Sequence, residues 1–304
     1  TWTGELKTAV ALLVRATRKM RSRRKRREEF LSFDTPEIRV LCDETTHEIQ
    51  GIERREQRES DELVEECMLA ANSAVAEEIS IANFAGIYRI HPEPEPEKLD
   101  EFTLFVAALL KRMPGDLTNR KVCNEFLDHL PDDHRKYVIT ANFLRAMARA
   151  SYSPDPGLHY GLGKTRYSHF TSPIRRYSDL ALHQQLHAAA ENTRLRSKKT
   201  FAAIALECSK REERNDEAYF AANDRLKLHY LKSRNALEAM KLYEGVVIKM
   251  SSQGMICDIP EYGLRGFVPA RYLRSRTKRP PKTGDFIYLY LDSLDFSRGS
   301  AVFR

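Results

Sequence analysis

The spacing of apolar residues divides the chain into a largely helical part, residues 1–240, and a final part of short strands. Apolar residues recur every three or four positions in 4–30, 60–82, 173–194 and 197–240, which predicts amphipathic helices. The expected buried face of the helix at 60–82 consists of Val64, Cys67, Met68, Ala71, Val75 and Ile79.

Strand patterns interrupt the helices at two places. Residues 37–41 and 48–54 alternate in polarity and predict a hairpin, and residues 86–91 predict one more strand. Two or three further helices are expected between residues 98 and 151. We therefore predict a mixed α/β (α+β) fold for residues 1–240, incomplete as it stands.

Residues 241–304 form short alternating runs separated by glycines. The pattern predicts five strands and, since short strands split by glycines are typical of small barrels, a five-stranded all-β barrel. The predicted strands are 243–250, 254–259, 266–269, 284–291 and 300–304.

Composition narrows the class of protein. The 304 residues carry 50 Lys and Arg against 43 Asp and Glu, a formal net charge of +7, which permits a polyanionic partner without requiring one.

The cysteines and the hydrophobic runs indicate the cellular setting. Five scattered cysteines without a CxxC pair argue against a disulfide framework and a cysteine zinc site, so we expect a reducing, cytoplasmic setting. No apolar run approaches the roughly 20 residues of a membrane span, so no membrane partner is expected. Because the first residue is Thr, we expect a fragment, a processed product or the ordered part of a longer protein.

The end of the first predicted helix is dense in positive charge. Two interpretations stay open, a solvated helix end and a phosphate-contacting surface. The basic residues are Arg18, Lys19, Arg21, Arg23, Arg24, Lys25, Arg26 and Arg27.

The most informative stretch is residues 159–182. Ser172 is a good N-cap, and Pro173 suits the first position of a helix. Ile174, Tyr177 and Ala181 would then mark one helical face. Arg175 would lie in the first turn, beside free backbone N–H groups, which is a ready phosphate site. The alternative is an arginine paired with a protein carboxylate.

The string HFTSPIRRYSDL at 169–180, preceded by HYGL at 159–162, resembles the signature of the ribonuclease II/ribonuclease R (RNB) family. Residues 63–72 and 88–91 resemble two further family segments, and the strand order of 241–304 resembles the OB-fold repeat of ribosomal protein S-one. The resemblance implies a C-terminal portion of an RNB catalytic domain (1–240) followed by an OB-fold RNA-binding domain (241–304). It also implies 3′-to-5′ hydrolysis of single-stranded RNA to nucleoside 5′-monophosphates.

The resemblance also implies roles for individual residues. Arg175 would contact the scissile phosphate, and Arg176 would be a structural or adjacent-phosphate cation. Glu65 would lie near the terminal nucleotides, and its alternative is a partly buried structural carboxylate. Phe267 would stack on bases, and its alternative is a core position. The residues expected to bind RNA are Glu65, Phe33, Tyr167, His169, Arg176, Phe267, Arg265 and Lys249.

Members of the family use Mg²⁺ held by a cluster of aspartates. The chain has no aspartate-rich strand and loop of that kind. We therefore expect no metal ligands here, no hydrolysis by this chain alone, and a need for the missing N-terminal half as a segment or a separate chain. Asp132, Asp133 and His134 fit a helix start better than a metal site.

Two departures from the family keep a second function open. Tyr219-Phe220-Ala221 stands where relatives often carry Arg-Asp or Glu-Arg-Asp, and His183-Gln184 replaces His-Arg. A family carboxylate near the active site would map to Tyr219. The alternative functions are a non-catalytic RNA-binding relative and a subunit of a ribonucleoprotein.

Overall fold

The computed structural model describes residues 3–26, 30–31, 37–55, 57–237, 241–273 and 280–304. The chain divides into two compact units, each made of three stretches. The first unit contains Thr1–Ser32, Gln57–Pro94 and Met147–Arg214, and the second contains Phe33–Glu56, Glu95–Ala146 and Asn215–Arg304. This division does not test the sequence boundary between residues 240 and 241, which stays a prediction.

The described residues form eight α-helices, one 3₁₀-helix at Tyr160–Leu162 and nine strands. The helices are α1 (Gly4–Arg26), α2 (Glu59–Ile81), α3 (Pro96–Leu110), α4 (Arg120–Asp128), α5 (His134–Ala146), α6 (Tyr177–Ala190), α7 (Lys198–Leu237) and α8 (Ala270–Leu273). The strands are β1 (Glu37–Cys42), β2 (Ile49–Arg55), β3 (Tyr88–Ile90), β4 (Ser151–Ser153), β5 (Leu242–Ser251), β6 (Gly254–Ile259), β7 (Leu264–Pro269), β8 (Phe286–Asp295) and β9 (Ser300–Phe303). Within the described part of the chain, none of the helices is long and apolar enough to cross a membrane.

In the first unit, ion pairs join α1 to α2. Arg18 pairs with Glu59, Arg21 with Glu62 at 3.1 Å, and Arg24 with Glu66. The Arg24–Glu66 pair is the most buried of these pairs, with 11% and 2% of the side chains exposed. The spacing follows the helix period, since positions three or four residues apart lie on one face. These pairs fix which side of α1 faces α2.

The core of the first unit lies between α2, α6 and the start of α7. Ile79, Ile87, Leu182 and Phe201 are fully or almost fully buried there. The face of α2 expected from the sequence is shifted, because Val64 is 52% exposed. The face that is buried consists of Glu66, Leu69, Asn72, Ala76 and Ile79.

The second unit contains the β1–β2 hairpin, α3 to α5 and a closed five-stranded barrel. The barrel order is β5-β6-β7-β9-β8, and β7 and β9 run parallel while the other pairs are antiparallel. The barrel core includes Tyr243 and Phe303, and it also includes Leu228 and Leu231 from α7. The expected mixed α/β fold with a five-stranded sheet is confirmed, and its assignment as an OB-fold stays a prediction.

The side chains of strand β7 alternate between the buried core and the outer face of the barrel. Leu264, Gly266 and Val268 are buried, whereas Arg265 and Phe267 are partly exposed on the outer face. A Cβ at Gly266 would lie 2.5 Å from the Phe303 ring, so the absence of a side chain makes room for that core aromatic. The alternation therefore places Phe267 outside the core, unlike the core alternative considered from the sequence.

Candidate functional site

The segment 172–177 does not begin a helix where its sequence predicts one. Residues 173–175 form a turn, and α6 begins at Tyr177, with Arg176 extended at φ −124° and ψ 118°. Ser172 does not cap a helix starting at Pro173, so that prediction is wrong. Ile174 is fully exposed instead of marking an apolar face. The reason is the extended backbone of Arg176, which interrupts the helix, and the carboxylate of Asp179 holds this segment by accepting from Arg176 and from the Ser172 N–H.

Asp179 is fully buried and accepts four hydrogen bonds. The backbone N–H of Ser172 donates to it at 2.9 Å, and the Ser178 hydroxyl donates at 3.0 Å. Nε and Nη2 of Arg176 donate to its two oxygens at 2.9 and 2.8 Å. A buried charge needs such complete pairing. Arg176 is therefore engaged in holding the turn, and its contact with an adjacent phosphate stays a prediction.

Arg175 has the opposite environment from its neighbour. Its side chain is exposed and forms no ion pair or hydrogen bond with any residue that the structure describes. Its backbone N–H donates to the Ser172 carbonyl at 3.3 Å, and that of Arg176 donates to the same carbonyl at 3.0 Å. The turn is thus fixed while the guanidinium of Arg175 is available to an anion.

Asn72 anchors the segment that precedes this turn. It is 2% exposed, and its side-chain oxygen accepts from the backbone N–H of Phe170 at 2.9 Å and of Thr171 at 3.2 Å. Its amide nitrogen donates to the hydroxyl of Tyr167 at 2.9 Å. No role for Asn72 was expected from the sequence. It lies off the apolar face predicted for α2, so the hydrophobic pattern gave no signal for its burial.

Tyr167 and His169 lie beneath the turn. Tyr167 is 5% exposed, and burial raises the pKa of its hydroxyl. His169 contacts Tyr167 edge-on at 5.9 Å, and its Nδ1 is 2.9 Å from the hydroxyl of Tyr152. Burial, followed by the charges of Arg176 and Arg89, lowers the pKa of His169 to about 3. Both side chains lie near the charges of Arg176 and Asp179, and their contact with RNA stays a prediction.

Two more histidines complete this buried cluster. The Gly161 N–H donates to Nδ1 of His91 at 3.2 Å, so Nε2 carries the proton and donates to the Ala148 carbonyl at 2.8 Å. Burial lowers the pKa of His91, and burial together with His91 and Arg89 lowers the pKa of His159 to about 4. The imidazoles of His159 and His169 are therefore neutral near pH 7.

The two glutamates of α2 have different environments. Glu66 is buried against Arg24. Glu65 is partly exposed and accepts a hydrogen bond from Gln57 at 2.9 Å, and its charge contributes to raising the pKa of Tyr167. Glu65 therefore lies on the Tyr167 side of α2, and its position near the terminal nucleotides stays a prediction. Phe33, the expected stacking aromatic, lies outside the described residues.

The barrel carries the other expected RNA contacts. Lys249, Ile256 and Phe267 occupy paired positions across β5, β6 and β7, with Lys249 exposed and Phe267 partly exposed. Arg265 is already engaged, because its guanidinium donates to Asp258 at 2.7 Å and to Asn142 at 3.0 Å. The structure thus brings Lys249 and Phe267 into one cross-strand row and gives Arg265 protein partners.

The donors in the described part of the chain do not form a Mg²⁺ site. Among the described residues, no group of three or more His, Cys, Asp or Glu side chains could hold a metal ion. Asp133 accepts from the guanidinium and the backbone of Arg135, which lowers the pKa of its carboxyl.

The residues that depart from the family pattern have defined environments in the structure. Gln184 accepts from Arg196, and Tyr219 and Phe220 are 55% and 61% exposed.

Comparisons with known proteins converge on one family. The sequence model described as RNB domain matches residues 3–192. Ribonuclease R of Aquifex aeolicus is 33% identical over 298 residues, covering 90% of this chain and 41% of that protein. Ribonuclease R of Thermotoga maritima is 29% identical over 257 residues, covering 82% and 36%.

The fold has the same relatives. The solved structure of Mycoplasma genitalium RNase R in complex with ribose-methylated single-stranded RNA superposes with a TM-score of 0.86 at 21% identity. The match covers 97% of this chain and 49% of that one. The chain therefore spans less than half the length of each of these three relatives.

Proposed function

Because the chain belongs to the RNB family, we propose that it forms the RNA-channel and phosphate-contacting part of a 3′-to-5′ exoribonuclease. The substrate is single-stranded RNA, and the products are nucleoside 5′-monophosphates. The RNA named in the Mycoplasma genitalium RNase R complex supports this class of substrate. The five free cysteines support a reducing, cytoplasmic location.

One observation carries the proposal, namely the contrast between Arg175 and Arg176. A cation that stabilises charge in a transition state must be held in place before the reaction and must keep its hydrogen bonds free for the substrate. Arg176 and Asp179 hold the turn, and the exposed guanidinium of Arg175 has no partner among the described residues. Arg175 would donate to oxygens of the scissile phosphate and stabilise the charge that develops there.

The other residues expected to contact RNA lie in both compact units of the chain. Glu65, Tyr167 and His169 would line the path of the terminal nucleotides, and Phe33 would stack on the last bases. Lys249 and Phe267 would contact the backbone and a base on the barrel, since an exposed cation in the same cross-strand row as an aromatic ring suits single strands. Arg265 remains in this set although Asp258 and Asn142 already bind its guanidinium.

Mg²⁺, when bound in this family, supplies charge neutralisation at the phosphate and activation of water. The described residues offer no ligand set for it, so no step is assigned to it here. We propose that another segment or chain provides the aspartate ligands. The 304-residue chain by itself would then bind RNA without hydrolysing it.

The test is the Arg175→Ala variant, assayed together with the segment or chain that supplies the aspartate ligands. We expect hydrolysis of 5′-labelled single-stranded RNA to fall about 100- to 1,000-fold, the usual effect of removing one charge-stabilising donor. RNA affinity should change little. Arg194→Ala is the matched control, because Arg194 is exposed and has no partner among the described residues. Unchanged hydrolysis in Arg175→Ala would remove this residue from the mechanism.

A second candidate is a non-catalytic RNA-binding relative. It is favoured by the aromatic pair Tyr219 and Phe220, exposed where a family carboxylate is expected. A full-length polypeptide that binds single-stranded RNA and releases no nucleotide in the presence of Mg²⁺ would establish this candidate in place of the enzyme.

A further inference from the structure

We propose that α1 carries a second RNA-contacting surface, apart from the Arg175 turn, which binds the phosphate backbone of a strand outside the active site. The surface is the basic stripe of α1, formed by Arg15, Lys19, Arg23 and Arg26. This inference rests on the proposed function, because it assumes an RNA substrate longer than the segment being degraded.

The basic stripe of α1 lies on the side away from α2. At 3.6 residues per turn its four cations fall within an arc of about 80°, and they extend over about 16 Å of helix. Thr17, the buried residue of α1, lies on the opposite side. The ion pairs with α2 are formed by Arg18, Arg21 and Arg24. The ion pairs therefore orient α1 so that the stripe faces away from α2.

The four side chains of the stripe are exposed, and none has an ion pair or hydrogen bond within the part of the chain that the structure describes. Like charges four residues apart, such as Arg15 and Lys19 or Lys19 and Arg23, destabilise an isolated helix. A polyanion laid along the stripe would relieve this repulsion. The stripe therefore fits a partner with regularly repeated negative charges.

The lining of the stripe favours RNA over an anionic membrane. Ala11, Val14 and Ser22 lie along one edge of the stripe, and their side chains are too small to insert into lipid. By helical geometry the exposed Leu13 and Met20 project about 120° and about 100° from the middle of the stripe. The exposed Leu12 lies within the arc near its N-terminal end, and one leucine buries too little apolar surface to anchor a helix in a membrane. The stripe has no aromatic side chain, so it would contact phosphates without reading bases.

The experiment compares two variants of the full chain with equal loss of charge. The stripe variant is Lys19→Ala/Arg23→Ala/Arg26→Ala, in which alanine preserves helix formation. The matched control is Lys199→Ala/Lys210→Ala/Arg214→Ala on α7, three exposed cations that also lack partners among the described residues. Circular dichroism confirms that both variants are folded.

Binding is measured with single-stranded RNAs of about 10 and about 30 nucleotides over a series of salt concentrations. For the stripe variant we expect the Kd of the long RNA to rise about tenfold. The slope of log Kd against the logarithm of the salt concentration should decrease by about 2. The Kd of the short RNA should not change, and the control variant should bind both RNAs as the unaltered chain does.

Three results would overturn the inference. Equal affinity of the stripe and control variants for the long RNA would do so while leaving the proposed function intact. Loss of binding to phosphatidylserine vesicles with unchanged RNA binding would assign the stripe to a membrane. Failure of the unaltered chain to bind either RNA would reject the inference and the proposed function together.

Discussion

Arg176 and Asp179 form a two-point ion pair in which Nε and Nη2 of the arginine donate to both carboxylate oxygens, at 2.9 and 2.8 Å. The carboxylate is fully buried, whereas 20% of the arginine side chain is exposed. The two adjacent arginines of the signature therefore differ in role. One fixes the turn, and the other, Arg175, remains available to a ligand.

The first prediction concerns Asp179. Asp179→Ala should lower the free energy of unfolding by about 3–5 kcal/mol, because it leaves the Arg176 charge and the Ser172 N–H without their buried acceptor. Urea denaturation measures the change. Glu207→Ala is the control, since the Glu207–Arg211 pair on α7 has 58% and 73% of its side chains exposed and should contribute little. Similar effects of the two variants would contradict a structural role for the Arg176–Asp179 pair.

The second prediction concerns Asn72. Asn72→Ala removes three hydrogen bonds to the signature segment and should destabilise the protein by about 3 kcal/mol, at about 1 kcal/mol for each bond. It should also slow hydrolysis of single-stranded RNA, because the Arg175 turn loses its support. Thermal and urea unfolding, together with a hydrolysis assay in the presence of the metal-binding part, test both effects. The exposed Asn215, replaced in the same way, should change neither quantity. Normal stability in Asn72→Ala would reject the anchoring role.

The third prediction concerns pH. In the folded protein the pKa of His169 is about 3 and that of His159 about 4, both below the ordinary value of 6.5. As the pH falls below 6.5, His159 and His169 become protonated in the unfolded chain but stay neutral in the folded protein. The free energy of unfolding therefore decreases progressively towards pH 4. His169→Gln should make this loss shallower by up to about 1.4 kcal/mol per pH unit.

Urea denaturation between pH 7 and about pH 4.5 provides the measurement for the histidine. His187→Gln serves as the control because His187 is exposed on α6. An identical pH dependence in the unaltered chain and in His169→Gln would show that His169 does not stay neutral in the folded state over this range.

The fourth prediction concerns the outer row of the barrel. Phe267→Ala should weaken binding of single-stranded RNA about tenfold, since stacking of one base on an aromatic ring contributes about 1–3 kcal/mol. The salt dependence should not change, because no charge is removed. Phe286→Ala on β8 is the control, an exposed aromatic outside the row. An equal loss of affinity in both variants would show that the row has no special part in binding.

The sequence predicted most of the elements because periodicity reports which residues are apolar. The predicted helix at 60–82 corresponds to α2, and the five predicted strands correspond to β5–β9. The buried face of α2 was mispredicted for a physical reason. It includes Glu66 and Asn72, whose partners Arg24 and the signature segment are distant in sequence. A hydrophobicity pattern cannot recognise polar residues that are buried because they are paired.

The local geometry of the candidate site differs from the geometry predicted, and the roles of its residues stay predictions. Local capping rules placed the start of α6 at Ser172, since serine followed by proline is a strong start signal. The carboxylate of Asp179 instead accepts from Ser172 and Arg176 and delays the helix to Tyr177. The Arg175–Arg176 division of roles depends on this delay. It follows from one side chain seven residues further along, which capping rules do not consider.

The two leucines that α7 contributes to the barrel core have a practical consequence for truncation. A polypeptide cut at residue 241 would lack Leu228 and Leu231, each fully buried in the intact chain. Without these two side chains, apolar surface of the barrel core would be exposed to water. Burial of each leucine contributes about 1.5–3 kcal/mol to stability. A soluble, independently expressed barrel should therefore begin well before its first strand, far enough upstream to retain the last turns of the helix that seals it.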